Sequence, residues 1–142
     1  MTIKASDIAV GDTFEEVLVE DLKRTQLVMY SGTSGDYNPL HFDEEFVSAT
    51  RFGRLVAQGG IATGLLHALV AMDLPGAGSV FTKQEWSFPN PVYIGDTITA
   101  TGTITAAYPR RSMAKMEFKV ENQEGVEVLR GEATVFQMDG DN

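Results

Sequence analysis

The strongest pattern lies in the second half of the chain. Thr97, Thr99, Thr101, Thr103 and Thr105 alternate with Ile98, Ala100, Gly102 and Ile104, and Ala114, Met116, Phe118 and Val120 alternate with Lys115, Glu117, Lys119 and Glu121. A period of two sends successive side chains to opposite faces, so both runs predict strands with one apolar face. Asn122-Gln123-Glu124-Gly125 turns the chain, and residues 126–138 predict a returning strand in which Gly131 marks a bulge or a close approach. Residues 80–88 and 92–94 predict a further strand broken at Pro89-Asn90-Pro91.

The first half reads differently. Residues 14–20 predict a short strand, after which Asp21 can cap a helix over residues 22–33 whose Leu22, Gln26, Leu27 and Tyr30 fall near one face, with Gly32 and Gly35 ending it. Residues 34–43 are polar, and Pro39 keeps Asn38 out of helical geometry, so a defined loop follows, then a short helix near residues 44–49. From Ile61 to Met72 apolar residues go all round, which predicts a buried helix stopped by Leu74-Pro75-Gly76. One such helix with several antiparallel strands predicts an α+β architecture, a curled sheet wrapped around a long central helix: the layout of a hot-dog fold.

Composition narrows the chemistry. The chain has 142 residues, the size of one compact domain, and residues 1–142 are read as such. Its formal charge of −9 disfavours nucleic acid and anionic membranes as partners. No Cys is present, which removes disulfides, Cys-ligated metals and thiol nucleophiles. Residues 1–11 lack an apolar signal core and no run reaches the roughly 18 apolar residues of a membrane span, so the expected setting is cytoplasmic.

Two constellations carry candidate chemistry. In Asp36-Tyr37-Asn38-Pro39-Leu40-His41-Phe42-Asp43 a carboxylate and an imidazole stand five residues apart across a Pro-fixed loop, near enough to share one water if the loop folds back. The same residues can equally form a turn in which Asp36 and Asn38 satisfy backbone amides. A metal site from Asp36, Asn38, His41 and Asp43 lacks the features of a calcium loop and the second His of a zinc site, so no metal is expected. In Ala57-Gln58-Gly59-Gly60, unpaired N–H groups at a helix start can stabilise charge developing on an oxygen; alternatively the glycines only allow close packing.

Together these segments resemble the MaoC-like, (R)-specific enoyl-CoA hydratase family of hot-dog proteins. The resemblance rests on Tyr30, Ser34-Gly35-Asp36, Asn38-Pro39-Leu40-His41, Asp43 and Ala57-Gln58-Gly59, then on Ser87-Phe88, Pro91-Val92, Gly95-Asp96-Thr97 and Gly131-Glu132-Ala133. It spans nearly the whole chain. Gln58 departs from the family's usual His, and Thr33 from an apolar residue. The resemblance implies reversible hydration of a trans-2-enoyl thioester, carried by CoA or by a carrier protein, to the (R)-3-hydroxyacyl thioester, with no cofactor. It implies Asp36 and His41 as catalytic residues and the Gly59 N–H as oxyanion donor. Asn38, Gln58, Gly60 and His67 are expected to position substrate, His67 as a satisfied buried or interface histidine near the acyl tunnel with Thr63 as a possible partner. Arg51, Arg54, Arg110, Arg111 and Lys115 are the candidates for gripping CoA phosphates, and a homodimer or dimer of dimers is expected. The alternatives are a hot-dog thioesterase and a non-catalytic acyl-binding or heterodimer subunit.

Overall fold

The computed structural model describes residues 7–138. Of the expected single domain, residues 1–6 and 139–142 therefore lie outside the described residues, as does most of the N-terminal stretch read for a signal. The chain forms β1 (Thr13–Val19), α1 (Arg24–Ser34), α2 (Glu44–Ser48), α3 (Gly59–Met72), β2 (Ser79–Ser87), β3 (Ile98–Tyr108), β4 (Met113–Glu121) and β5 (Glu127–Gln137), with single tight helical turns at Pro39–His41 and Pro109–Arg111. The strands make one antiparallel sheet in the order β1-β3-β4-β5-β2, and it curls around α3 in a hot-dog arrangement.

The alternation in β3 and β4 decides which face meets the helix. Ile98, Ala100, Ile104, Met116, Phe118 and Val120 are buried, while the intervening Thr and charged residues face outward. Opposite them α3 presents Ala62, Leu66, Leu69 and Val70. Each fully buried aliphatic side chain here contributes about 1.5–3 kcal/mol relative to exposure. Gly131 is a close approach rather than a bulge: a Cβ there would lie 1.9 Å from the Glu85 carbonyl oxygen of the neighbouring strand, and the β4–β5 register shift falls instead between Val120 and Glu121.

Several expectations are corrected. Residue Lys23, not Asp21, precedes the first helix; its N–H donates to Gln26 Oε1 at 3.0 Å, and Asp21 has a φ of 48°. The helix passes through Gly32 and closes on Gly35. Residues 92–94 add no strand; Tyr93 makes one isolated bridge with Val56. The central helix begins at Gly59, within the expected Ala57-Gln58-Gly59-Gly60 opening, but is not covered all round: Gly64, His67, Ala68 and Met72 form an exposed stripe along it. Among the described residues no helix is long and apolar enough to cross a membrane.

Candidate active site

The loop after α1 is built by short-range hydrogen bonds that its sequence supplies. The Gly35 N–H donates to the Ser31 carbonyl at 2.8 Å, and the Ser31 hydroxyl donates to the Asp36 carbonyl at 2.6 Å. Asp36 Oδ1 accepts the Asn38 N–H at 3.1 Å, and Asn38 Oδ1 accepts the Leu40 N–H at 3.1 Å. These are side-chain-to-backbone bonds of the kind that let Asp and Asn define turns. Pro39 starts the tight turn that carries His41 inward. Asp43 caps α2, accepting the Phe46 N–H at 3.0 Å.

His41 is then fixed from a second direction. Its Nδ1 lies 2.6 Å from the Val56 carbonyl oxygen. A carbonyl only accepts, so Nδ1 carries the proton and Nε2 of the neutral ring offers a lone pair. That Nε2 faces Asp36 Oδ2 at 3.4 Å, with the imidazole 9% exposed and the carboxylate 41% exposed. The pair therefore has a buried, oriented member and an open one. Two acceptors this close fit one water that donates a hydrogen to each at about 2.8 Å, leaving its oxygen lone pair free. Asp36 and Asn38 satisfy backbone amides, as the turn reading expects, and Asp36 still presents its other oxygen to His41.

The segment that anchors His41 leads directly to the helix start. The Val56 N–H donates to the Leu40 carbonyl at 3.2 Å and the Ala57 N–H to the Val92 carbonyl at 2.7 Å. Gly59 follows three residues after Val56, within about 10 Å of chain. As the first residue of α3 its N–H has no intrahelical acceptor, and the position is exposed. A cavity of about 640 Å³ opens there, lined by Gly59, by apolar Val56, Ala62, Ile98 and Val128, and by Arg51. Neither Asp36 nor His41 lines this cavity; His41 is tied to its wall through the Val56 carbonyl. Gly60 plays a different part from the one expected. A Cβ there would lie 1.7 Å from the Tyr30 hydroxyl, so its lack of a side chain serves the packing of α1 on α3.

Gln58, directly before α3, is 2% exposed. Its Nε2 donates to the Leu27 carbonyl at 3.0 Å and to Ser31 Oγ at 2.9 Å. These two bonds use both amide hydrogens and fix the orientation of the group, since the opposite flip would set oxygen against the Leu27 carbonyl. Among the described residues Gln58 Oε1 has no hydrogen-bond partner, a cost of about 1–3 kcal/mol.

The remaining sequence candidates divide. Arg51 lines the cavity, and the Arg54 guanidinium stacks 3.9 Å over the Tyr93 ring, whose hydroxyl donates to the Phe52 carbonyl at 3.1 Å and so braces the same turn. Arg110, Arg111 and Lys115 sit at the far tip of the β3–β4 hairpin. Ten residues of β3 separate that tip from the cavity-lining Ile98, on the order of 30 Å along the strand, so within one chain they are not part of this site. His67 is exposed rather than buried; its Nε2 meets Gln84 Nε2 at 2.9 Å and its ring packs edge-on against Phe81 at 4.6 Å. Thr63 is not its partner, because the Thr63 hydroxyl donates to the Gly60 carbonyl at 3.1 Å. Sequence reasoning missed Ser31 and Val56. A serine in the last turn of a helix, able to bond onward into the following loop, was the available signal for Ser31; Val56 holds His41 through a backbone carbonyl, which any residue carries and which leaves none.

Comparison with known proteins gives the chain a family and a fold. Residues 6–126 match the MaoC like domain family. The chain is 33% identical over 119 residues to an (R)-specific enoyl-CoA hydratase of Rhodospirillum rubrum, covering 84% of this chain and 82% of the relative. It is 34% identical over 129 residues to a 3-hydroxybutyryl-CoA dehydratase of Methylorubrum extorquens, covering 91% and 80%. Among solved structures, the (R)-hydratase from A. caviae involved in PHA biosynthesis superposes with a TM-score of 0.85 at 30% identity, covering 93% of this chain and 98% of that one.

Proposed function

The chain belongs to the MaoC-like domain family, and from that footing we propose that it adds water reversibly across the C2–C3 double bond of a trans-2-enoyl thioester, of CoA or of a carrier protein, to give the (R)-3-hydroxyacyl thioester. The relatives named above are hydratases and dehydratases, the two directions of one hydro-lyase reaction. The observation that carries the reading is the Asp36–His41 pair, 3.4 Å apart with one ring nitrogen already committed to Val56.

In this mechanism one water is held between Asp36 Oδ2 and His41 Nε2. Asp36 acts as general base: it accepts a proton as the water oxygen bonds to C3. Electron density moves into the thioester carbonyl, whose oxygen receives the Gly59 N–H at the positive end of α3. The proton then reaches C2 on the same face, with His41 orienting the water and assisting the transfer. Water supplies both added groups, the hydroxyl at C3 and the hydrogen at C2, and the step is redox-neutral, so the reaction calls for no cofactor. Asn38 keeps the loop in shape. His67, on the exposed α3 stripe and absent from the cavity lining, takes no part in this mechanism.

A homodimer completes the arrangement. The sheet edge at β2 pairs only with β5 among the described strands, and beside it lie the exposed α3 stripe and Val80, 46% exposed. A second copy covering both removes an open edge and an apolar face together. Purified protein should remove the enoyl absorbance of crotonyl-CoA and form the (R)-3-hydroxy product. Release of free thiol without hydration would instead mark a thioesterase, and no reaction at all a non-catalytic subunit.

A further inference from the structure

We infer that Gln58 and Ser31 act as an uncharged clamp that positions Asp36 for the reaction. The clamp is a chain of donors running one way: Gln58 Nε2 to Ser31 Oγ at 2.9 Å, then the Ser31 hydroxyl to the Asp36 carbonyl at 2.6 Å. It joins the start of α3, the last turn of α1 and the loop between α1 and α2. Those are the three pieces that carry Gly59, Ser31 and the Asp36–His41 pair.

The chemistry of the links defines the role. A serine hydroxyl has one hydrogen; because Gln58 donates to its oxygen, that hydrogen is directed to Asp36 rather than back along the helix. Ser31 is 0% exposed, so no solvent competes for it. The clamp grips Asp36 by its backbone oxygen and leaves the carboxylate free, Oδ1 on the Asn38 N–H and Oδ2 toward His41. His41 is held independently, through Val56. The spacing between the two catalytic side chains is thus set by two anchors that share no residue, and the Gln58–Ser31 anchor determines the Asp36 half. Gln58 gives both amide hydrogens to this work while its Oε1 stays buried and unpartnered among the described residues. A residue present only to fill space needs no such group; an aliphatic side chain would fill it without the orphaned oxygen.

The proposal rests on the hydratase reading for its kinetic consequence, and the test separates the two. Ser31→Ala removes the central hydroxyl, Gln58→Met removes both donors at nearly constant length, and Gln58→His keeps a side-chain N–H. Each is compared with the parent chain by steady-state hydration of crotonyl-CoA and by hydrogen exchange at the Asn38 and Leu40 amides. Ser31→Ala and Gln58→Met are expected to lower kcat about 10- to 100-fold with KM little changed, as a misplaced catalytic group does, and to speed exchange at both amides. The double variant should be no slower than the worse single one, because both break the same chain, and Gln58→His should recover most of kcat. Folded Ser31→Ala protein with unchanged exchange overturns the clamp whatever the activity. Faster exchange with unaltered kcat overturns its catalytic role, as does a Gln58→His chain as slow as Gln58→Met. If the parent chain fails to hydrate crotonyl-CoA, the hydratase reading falls, and the exchange comparison still decides whether the clamp holds the loop.

Discussion

His41 Nε2 and Asp36 Oδ2 face each other at 3.4 Å, and the imidazole cannot turn away because its Nδ1–H is held by the Val56 carbonyl at 2.6 Å. This makes the two residues unequal. Asp36 is the more exposed member, to which the proposed mechanism gives the proton, and His41 is the buried one, which that mechanism uses as guide.

Asp36→Asn keeps the shape of the loop and still offers an oxygen to the Asn38 amide, yet removes the base. His41→Ala removes the guide. Each should lower kcat for crotonyl-CoA by about 10²–10⁴-fold, the usual range for loss of a positioned acid–base group, with the melting temperature nearly unchanged. Turnover of Asp36→Asn near that of the parent chain would falsify the assignment.

The proposed function gives the anionic end of the substrate to Arg51, which lines the cavity, and to Arg54, stacked on the Tyr93 ring that also lines it. Charge reversal of both, Arg51→Glu with Arg54→Glu, should raise KM for crotonyl-CoA about tenfold with little change in kcat. It should leave KM for a thioester of a short uncharged thiol almost unmoved. Arg110→Glu with Arg111→Glu, at the far hairpin tip, should change neither; a KM increase from that pair alone would transfer the phosphate site to it.

Ala68 lies in the exposed stripe of α3 with Gly64 and Met72 one turn to either side. A carboxylate there is solvated in a single chain but is trapped beneath a partner in a dimer. Ala68→Glu should therefore shift the mass measured by light scattering from dimer to monomer while the circular dichroism spectrum stays the same. A parent chain that is already monomeric would remove the basis for the shared interface.

Glu16 on β1 titrates above the ordinary glutamate range, chiefly through desolvation and then through the neighbouring Asp73 carboxylate, with which it shares a hydrogen bond. A carboxyl whose pKa is raised by folding holds its proton more tightly in the native state. The native state is thus relatively favoured at low pH and loses that advantage as pH rises from the unfolded pKa through the folded one. Glu16→Gln cannot ionise. It should flatten the fall in melting temperature over that window and raise the melting temperature slightly above it; an identical pH dependence in both proteins would show that the pair does not matter for stability.

The sequence by itself determined the elements whose signal is local. The alternation in β3 and β4 was legible because a half-buried strand writes its burial every second residue. The Asp36-to-His41 loop was legible because Pro39, Asn38 and Asp36 impose turn geometry through bonds to backbone two residues away. Tertiary structure decided what depends on contacts between distant segments. Composition alone suggested that α3 is buried on every side, yet a helix packed against one concave sheet covers one face, and the stripe at Gly64, Ala68 and Met72 stays open in the single chain. Five arginine and lysine residues looked alike as phosphate ligands until the length of β3 set Arg110, Arg111 and Lys115 at the opposite end from the cavity. Position alone, directly before Gly59, sets Gln58 among the residues expected to position substrate. Its partners Leu27 and Ser31 lie 31 and 27 residues away, and hydrogen bonds over such separations exist only once α1 has docked against α3.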